Sequence, residues 1–259
     1  MKKTKRLVKF FLLWAAICSL PGFAPQSSDW LLEKMPVDLE KDFALSALPP
    51  HLRDQSTVYL LDPNKGYYVA RKGTNGFSTL VIRTLWEKAE FSQDLYAAIS
   101  FDPEGAKVYL PVFFDVAAMR GSGKYTPPQI KDIIVKRVKD GTYKAPARTG
   151  VSYMLSPLLR AYDGDSIVNQ VIPHYMFYAP GVDNGDIGGE WDGHGPFAIG
   201  TGDALDKKNS IFNFIIIPAG DAEKARIVEA NKDLLRRLAE YKPYLKINTE
   251  TSPVTHHHH

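Results

Sequence analysis

Outside the terminal run of four, the chain has three histidines, His51, His174 and His194, and the histidine base that a serine triad needs would come from them. His174 has the most suggestive surroundings. In Ile-Pro-His-Tyr-Met-Phe-Tyr-Ala-Pro it opens an apolar run in which strand alternation sets His174, Met176 and Tyr178 on one face and Tyr175 and Phe177 on the other. There His174 could serve as a general base with Tyr153 or Tyr178 as acid, or its ring could simply donate to a backbone carbonyl of the sheet. His51, within Leu-Pro-Pro-His-Leu-Arg-Asp, reads as a surface or helix-start residue.

A second concentration of chemistry lies in Asp-Asn-Gly-Asp-Ile-Gly-Gly-Glu-Trp-Asp-Gly-His, which gathers Asp183, Asp186, Glu190, Asp192 and His194 among glycines. Oxygen ligands on a glycine-rich loop suit calcium, and His194 would extend the choice to zinc or manganese. The spacing departs from the EF-hand: from Asp183, the third and fifth positions are Gly185 and Ile187, and the twelfth is His194 where glutamate belongs. The competing readings are a solvated acidic loop and a lid beside His174. No cofactor is expected beyond a divalent metal here.

Other signatures fail on inspection. Gly-Thr-Gly-Asp-Ala-Leu, from Gly200, lacks the third glycine of a dinucleotide fingerprint, and Ala-Met-Arg-Gly-Ser-Gly-Lys-Tyr has Ala118 and Tyr125 where a phosphate loop needs glycine and Ser or Thr. There is no Gly-x-Ser-x-Gly, Ser-x-x-Lys or His-Glu-x-x-His.

The start of the chain reads as an export signal: a basic stretch, then Phe-Phe-Leu-Leu-Trp-Ala-Ala-Ile-Cys-Ser-Leu, then Pro21-Gly22 and a small residue at Ala24. The apolar run is shorter than the roughly 20 residues that span a bilayer, so the expectation is a periplasmic or secreted protein without stable membrane insertion. Cys18 is the only cysteine, which leaves none after cleavage at Ala24 and excludes disulfides and thiolate chemistry from the mature chain. With 44% hydrophobic and 24% charged residues and a net charge of +3, the composition is that of a globular protein and gives no sign of a nucleic-acid partner.

The division expected is a signal over 1–24, a linker over 25–44 with a short helix near Trp30, one globular domain over 45–247 and a histidine-ended tail over 248–259. Strands are expected at Thr-Val-Tyr-Leu-Leu-Asp, Gly-Tyr-Tyr-Val-Ala-Arg and Ser-Thr-Leu-Val-Ile-Arg, arranged as a meander. Helices are expected from Thr84 to Ala98, from Glu104 to Gly121 with a kink at Pro111, and after Thr126, whose capping box would use Gln129. Aromatic strands broken by Pro157 and Pro173 follow, then Ser-Ile-Phe-Asn-Phe-Ile-Ile-Ile-Pro. One amphipathic helix from Asp221, with Ile227, Leu234, Leu235 and Leu238 inward, would close the chain. The fold class is α+β, a mainly antiparallel sheet with packed helices.

Between the second and third strands stands Gly-Thr-Asn-Gly, whose Asn75-Gly76 pair reads as a tight turn. A phosphate cradle is disfavoured because a strand, not a helix, follows. Gly-Thr-Asn-Gly-Phe at 73–77, Tyr-Met-Leu at 153–155 and Pro-His-Tyr-Met at 173–176 together resemble a group of exported bacterial proteins of unknown function, over about residues 45–245. The resemblance implies no activity, only that the three segments form one feature. On that expectation Arg71, Lys72, Thr74, Asn75 and Ser156 would join Tyr153, His174 and Tyr178 around a concave, partly apolar pocket. Three functions follow as expectations: an exported binder of a small or saccharide-like ligand, a hydrolase or lyase using His174, or an envelope interaction module without a pocket.

Overall fold

The computed structural model describes residues 30–190, 195–201, 204–206 and 210–247. β1 (Thr57–Asp62) and β2 (Gly66–Arg71) form the expected hairpin, closed by Asp62 Oδ1 accepting from Asn64 N and by Gly66 at φ +95°. β3 (Ser78–Ile82) does not continue a meander. It pairs with β1 in parallel, Thr57 opposite Ser78, so β1 lies between β2 and β3. Gly-Thr-Asn-Gly is therefore a crossover that passes the end of β1, and not a hairpin turn.

The remaining strands are β4 (Tyr96–Phe101), β5 (Val151–Met154), β6 (Leu159–Asp163), β7 (Ser166–Gln170), β8 (His174–Tyr178), β9 (Phe197–Ile199) and β10 (Phe214–Pro218). They complete a ten-stranded sheet ordered β2-β1-β3-β4-β5-β8-β10-β9, with β6 on β4 and β7 on β6. Apart from β1 with β3, the pairings among described strands are antiparallel, and the chain is a single α+β domain.

Helices cover both faces. α1 (Val37–Ser46) lies on one face, α2 (Pro50–Arg53) follows it, and α3 (Pro103–Val108), α4 (Leu110–Gly121) and α5 (Pro127–Lys139) lie on the other. Leu80, Ile82, Ala97, Ile99 and Phe101 pack with Val112, Val116, Ile130 and Ile134, while Val58, Leu60, Val81, Tyr96 and Ala98 pack with Leu39, Phe43, Leu234 and Leu238. The short α6 (Asn184–Ile187) precedes β9, and α7 (Asp221–Ala230) and α8 (Lys232–Tyr241) follow β10. Among the described residues no helix is long and apolar enough to cross a membrane. The export signal expected over residues 1–24 lies outside the described residues.

Several local expectations change for identifiable reasons. The helix expected over residues 84–98 is a 3-10 turn at Trp86–Lys88 followed by β4, whose six residues are all buried, so no one-sided alternation marks it as a strand. Within the segment expected as linker, α1 buries Leu39 and Phe43, and its Glu40 accepts from Leu61 N on β1 at 2.8 Å. The kink expected at Pro111 is a break at Tyr109, between α3 and α4. The closing helix is two, parted at Asn231, whose side chain donates to the Ile227 carbonyl; α7 buries no residue, whereas α8 buries Leu234 and Leu238. The capping box of Thr126 and Gln129 on α5 is present in both directions.

Candidate functional site

The three segments grouped by resemblance do approach one another. Phe77, at the end of the crossover, lies 6.0 Å from the Tyr153 ring, and Tyr153 lies 5.8 Å from Tyr175. The register sets Tyr153 opposite Tyr175 and Met154 opposite His174, so Tyr153 lies on one face of the sheet and His174, Met176 and Tyr178 on the other. The three groups that would share acid-base work are thus divided by the sheet.

Most of the remaining polar groups of this region already have a structural task. Asn75 Nδ2 donates to the Leu52 carbonyl and its Oδ1 accepts from Phe77 N, while Thr74 N and Asn75 N both reach the Gln55 carbonyl. The Arg71 guanidinium donates to the Ser56 and Arg53 carbonyls; Lys72 and Thr74 point to solvent. Ser156 Oγ accepts from Leu158 N at 3.4 Å. His174 is buried with Nδ1 2.6 Å from the Ile172 carbonyl, and burial, only partly opposed by that carbonyl, lowers its pKa below the usual histidine range. A neutral ring donating from Nδ1 is the state this favours.

On the His174 face stands a centre that the sequence reading passed over. Asp102 caps α3 by accepting from Gly105 N at 2.8 Å, and its carboxylate also accepts from the Tyr178 hydroxyl at 2.9 Å and from Val151 N at 3.2 Å. Tyr178 Oη also lies 2.9 Å from the Val151 carbonyl. Burial, followed by the Asp102 charge, pushes the phenol pKa far above its ordinary value. Gly105 and Gly150 make room for this: a Cβ at the first would collide with Tyr178 Oη, and at the second with Asp102 Oδ2. The arrangement pins β4, α3, β5 and β8 together.

A different situation holds at the β9 edge. There α6, the end of β9 and the segment entering β10 enclose a cleft of about 220 Å³, bordered by Asn184, Ala198, Ile199, Thr201, Leu205, Ser210 and Asn213. Ser210 Oγ donates to Asn213 Oδ1, and Asn213 Nδ2 donates to the Val182 carbonyl at 2.6 Å. Asn184 Oδ1 accepts from Ala198 N, which fastens α6 to β9. Gly200 is required, because a Cβ there would run into Asn213 Oδ1. Thr201 is only 6% exposed, and its Oγ1 has no hydrogen-bond partner. Of the buried side-chain atoms left in that condition among the described residues, the others belong to Glu87, Arg160 and Tyr241, none of which borders the cleft.

The acidic loop reaches this region at α6. Asp183 and Asp186 form a reciprocal capping box around α6, each carboxylate accepting from the other's backbone N–H, and Glu190 is exposed. Asp192 and His194 lie outside the described residues, and among those described no group of three or more His, Cys, Asp or Glu could hold a metal ion. The cleft residues Thr201, Ser210 and Asn213 escaped the sequence reading. One usable signal was Asn213, a polar side chain set inside Ser-Ile-Phe-Asn-Phe-Ile-Ile-Ile. Another was Gly200-Thr201 directly after an apolar segment, there read only as a failed nucleotide fingerprint.

No family model matches the chain, and no curated protein or solved structure matches it either. The class that fold and site define is accordingly an α+β domain with a small polar cleft at one edge of its sheet.

Proposed function

We propose that the chain is an exported protein that binds a small organic ligand in the cleft beside β9 and β10. The carrying observation is the cleft itself, about 220 Å³ lined by Asn184, Ser210 and Asn213 together with Val182, Ala198, Ile199 and Leu205, the mixture of a few polar groups and an apolar wall that small-molecule sites use. Export rests on the basic and apolar residues ahead of Ala24. The hydrolase or lyase reading has less support, because Tyr153 lies across the sheet from His174 and the Tyr178 hydroxyl is held by Asp102.

The test is native mass spectrometry of the folded chain after incubation with a small-molecule extract. A bound species is expected on the wild-type protein and is expected to weaken in Ala198→Leu, which fills the cleft from its wall. An equal signal in both proteins would move the site elsewhere.

A further inference from the structure

We infer that the open edge of β2 receives an extended polypeptide segment, apolar at its centre and acidic at its ends, as a further strand of the sheet. β2 stands at one end of the strand order and, among the described strands, pairs only with β1. A strand so placed turns a row of backbone N–H and C=O groups outward, which is a template for another strand. The other free edges offer less. β9 is three residues long, and on β7 the Asn169 amide is spent on the Tyr244 and Lys246 carbonyls of the closing segment. β2 has six residues, and no described segment pairs with its outer side.

Its side chains suit an apolar partner. Tyr68 is 38% and Val69 53% exposed, and no other described element presents two large hydrophobic residues so openly. They lie on opposite faces. Tyr68 stands opposite Leu60, which is buried with Leu39 and Phe43 of α1, and Val69 stands opposite Tyr59, whose ring is 4.9 Å from that of Phe114 on α4. An added strand gains a contact on each face, and such cross-strand pairs are what stabilise a sheet.

Charge selects the partner. Lys65 precedes β2, Lys72 follows it, and Lys34 Nζ lies 5.9 Å from the centre of the Tyr68 ring. All three are exposed, and none is in an ion pair among the described residues; the carboxylates nearest Lys34 in the chain are engaged elsewhere, Glu33 with Lys242 and Asp38 with Lys41. The same lysines turn away a second copy of the chain. In the antiparallel register that sets Tyr68 opposite Val69, Lys65 of one copy falls opposite Lys72 of the other, and a parallel pair in register sets each lysine against itself. Like charges directly opposite destabilise a strand pair, and lysine is a common guard of exposed edges. A segment with acidic ends converts both repulsions into attractions.

The probe is a capped, fluorescein-labelled peptide, Asp-Glu-Val-Thr-Val-Thr-Glu-Asp, titrated against the folded chain by fluorescence anisotropy. Two controls accompany it: one with lysine in place of every acid, and one with the same side chains but N-methylated throughout its Val-Thr core, which has no core N–H to offer β2. The acidic peptide is expected to bind, about tenfold more weakly to the double variant Lys65→Glu, Lys72→Glu, whose folding a thermal melt establishes. Neither control is expected to bind. No binding of the acidic peptide at millimolar concentration overturns the proposal, and so does equal binding of the lysine peptide, which removes the selection by charge. Equal binding of the N-methylated peptide shows attraction without strand addition and overturns it as well. Sedimentation closes the remaining route: the wild-type chain is expected to be free of any dimer through β2, and a dimer lost in Val69→Glu assigns the edge to a second copy and overturns the acidic partner.

Discussion

Two polar regions flank the β8–β10 end of the sheet, and they differ in what their side chains have left to offer. Around Asp102 one buried carboxylate meets Gly105 N, Val151 N and the Tyr178 hydroxyl, with the neighbouring glycines cleared to let them approach. Around Thr201 a buried hydroxyl meets nothing, beside amides only partly engaged. Asp102 and His174 have the more reactive chemistry, yet they are built into the framework. The cleft beside β9 is lined instead by Asn184, Ser210 and Asn213, chemically bland side chains around open space, so room for a ligand separates site from framework here better than residue type does.

The strongest way to break this comparison is at Asp102. Asp102→Ala removes the acceptor for three donors in a buried setting, and about 3–5 kcal/mol of stability should go with it, read as a fall in the urea midpoint. Ligand binding at the β9 edge should survive wherever the variant is still folded. A midpoint shift under about 1 kcal/mol would show that the centre is not the pin described here.

Glu40 sharpens the same contrast, because this carboxylate, 2% exposed, has a single donor in Leu61 N where Asp102 has three. Burial raises its pKa from 4.5 to about 7. A carboxyl whose folded pKa is raised contributes stability that is complete below pH 4.5 and is lost as the pH climbs through about 7, some 3 kcal/mol in all. Glu40→Gln should flatten that part of the stability profile and leave the protein more stable than wild type at pH 8. Parallel profiles for the two proteins from pH 4.5 to 8 would contradict the assignment.

His174→Gln probes the region to which the sequence first points. It should cost about 1–3 kcal/mol through the lost bond to the Ile172 carbonyl and imperfect packing. Because burial depresses the folded pKa of His174, its stabilising contribution is present above the ordinary histidine pKa and lost as the pH falls below it, and the variant should lack that acid-side loss. Ligand affinity should not change; a tenfold loss would return His174 to the site.

What the sequence made legible was local. The hairpin of β1 and β2 shows in its alternation and turn residues, and the α5 cap shows as Thr126 followed by Gln129 three positions later, since those bonds form between near neighbours. The parallel pairing of β1 with β3 depends on a crossover tied to Gln55 and Thr57, contacts that no local pattern records. β4 was hidden because both its faces are buried. At the site the difficulty was greater: Thr201, Ser210 and Asn213 are ordinary residue types, and what distinguishes Thr201 is a missing partner, which exists only in three dimensions.

The finest test turns on that missing partner and predicts a small gain. In the ligand-free protein Thr201→Val exchanges an unpartnered buried hydroxyl for a methyl of nearly the same size, so the penalty of the unmade bond is removed without opening a cavity. Stability should rise by about 1 kcal/mol, seen as a higher urea midpoint with an unchanged slope. A threonine whose hydroxyl is engaged in the native protein would lose stability on this exchange, so the sign of the change tests whether the Thr201 hydroxyl is without a partner.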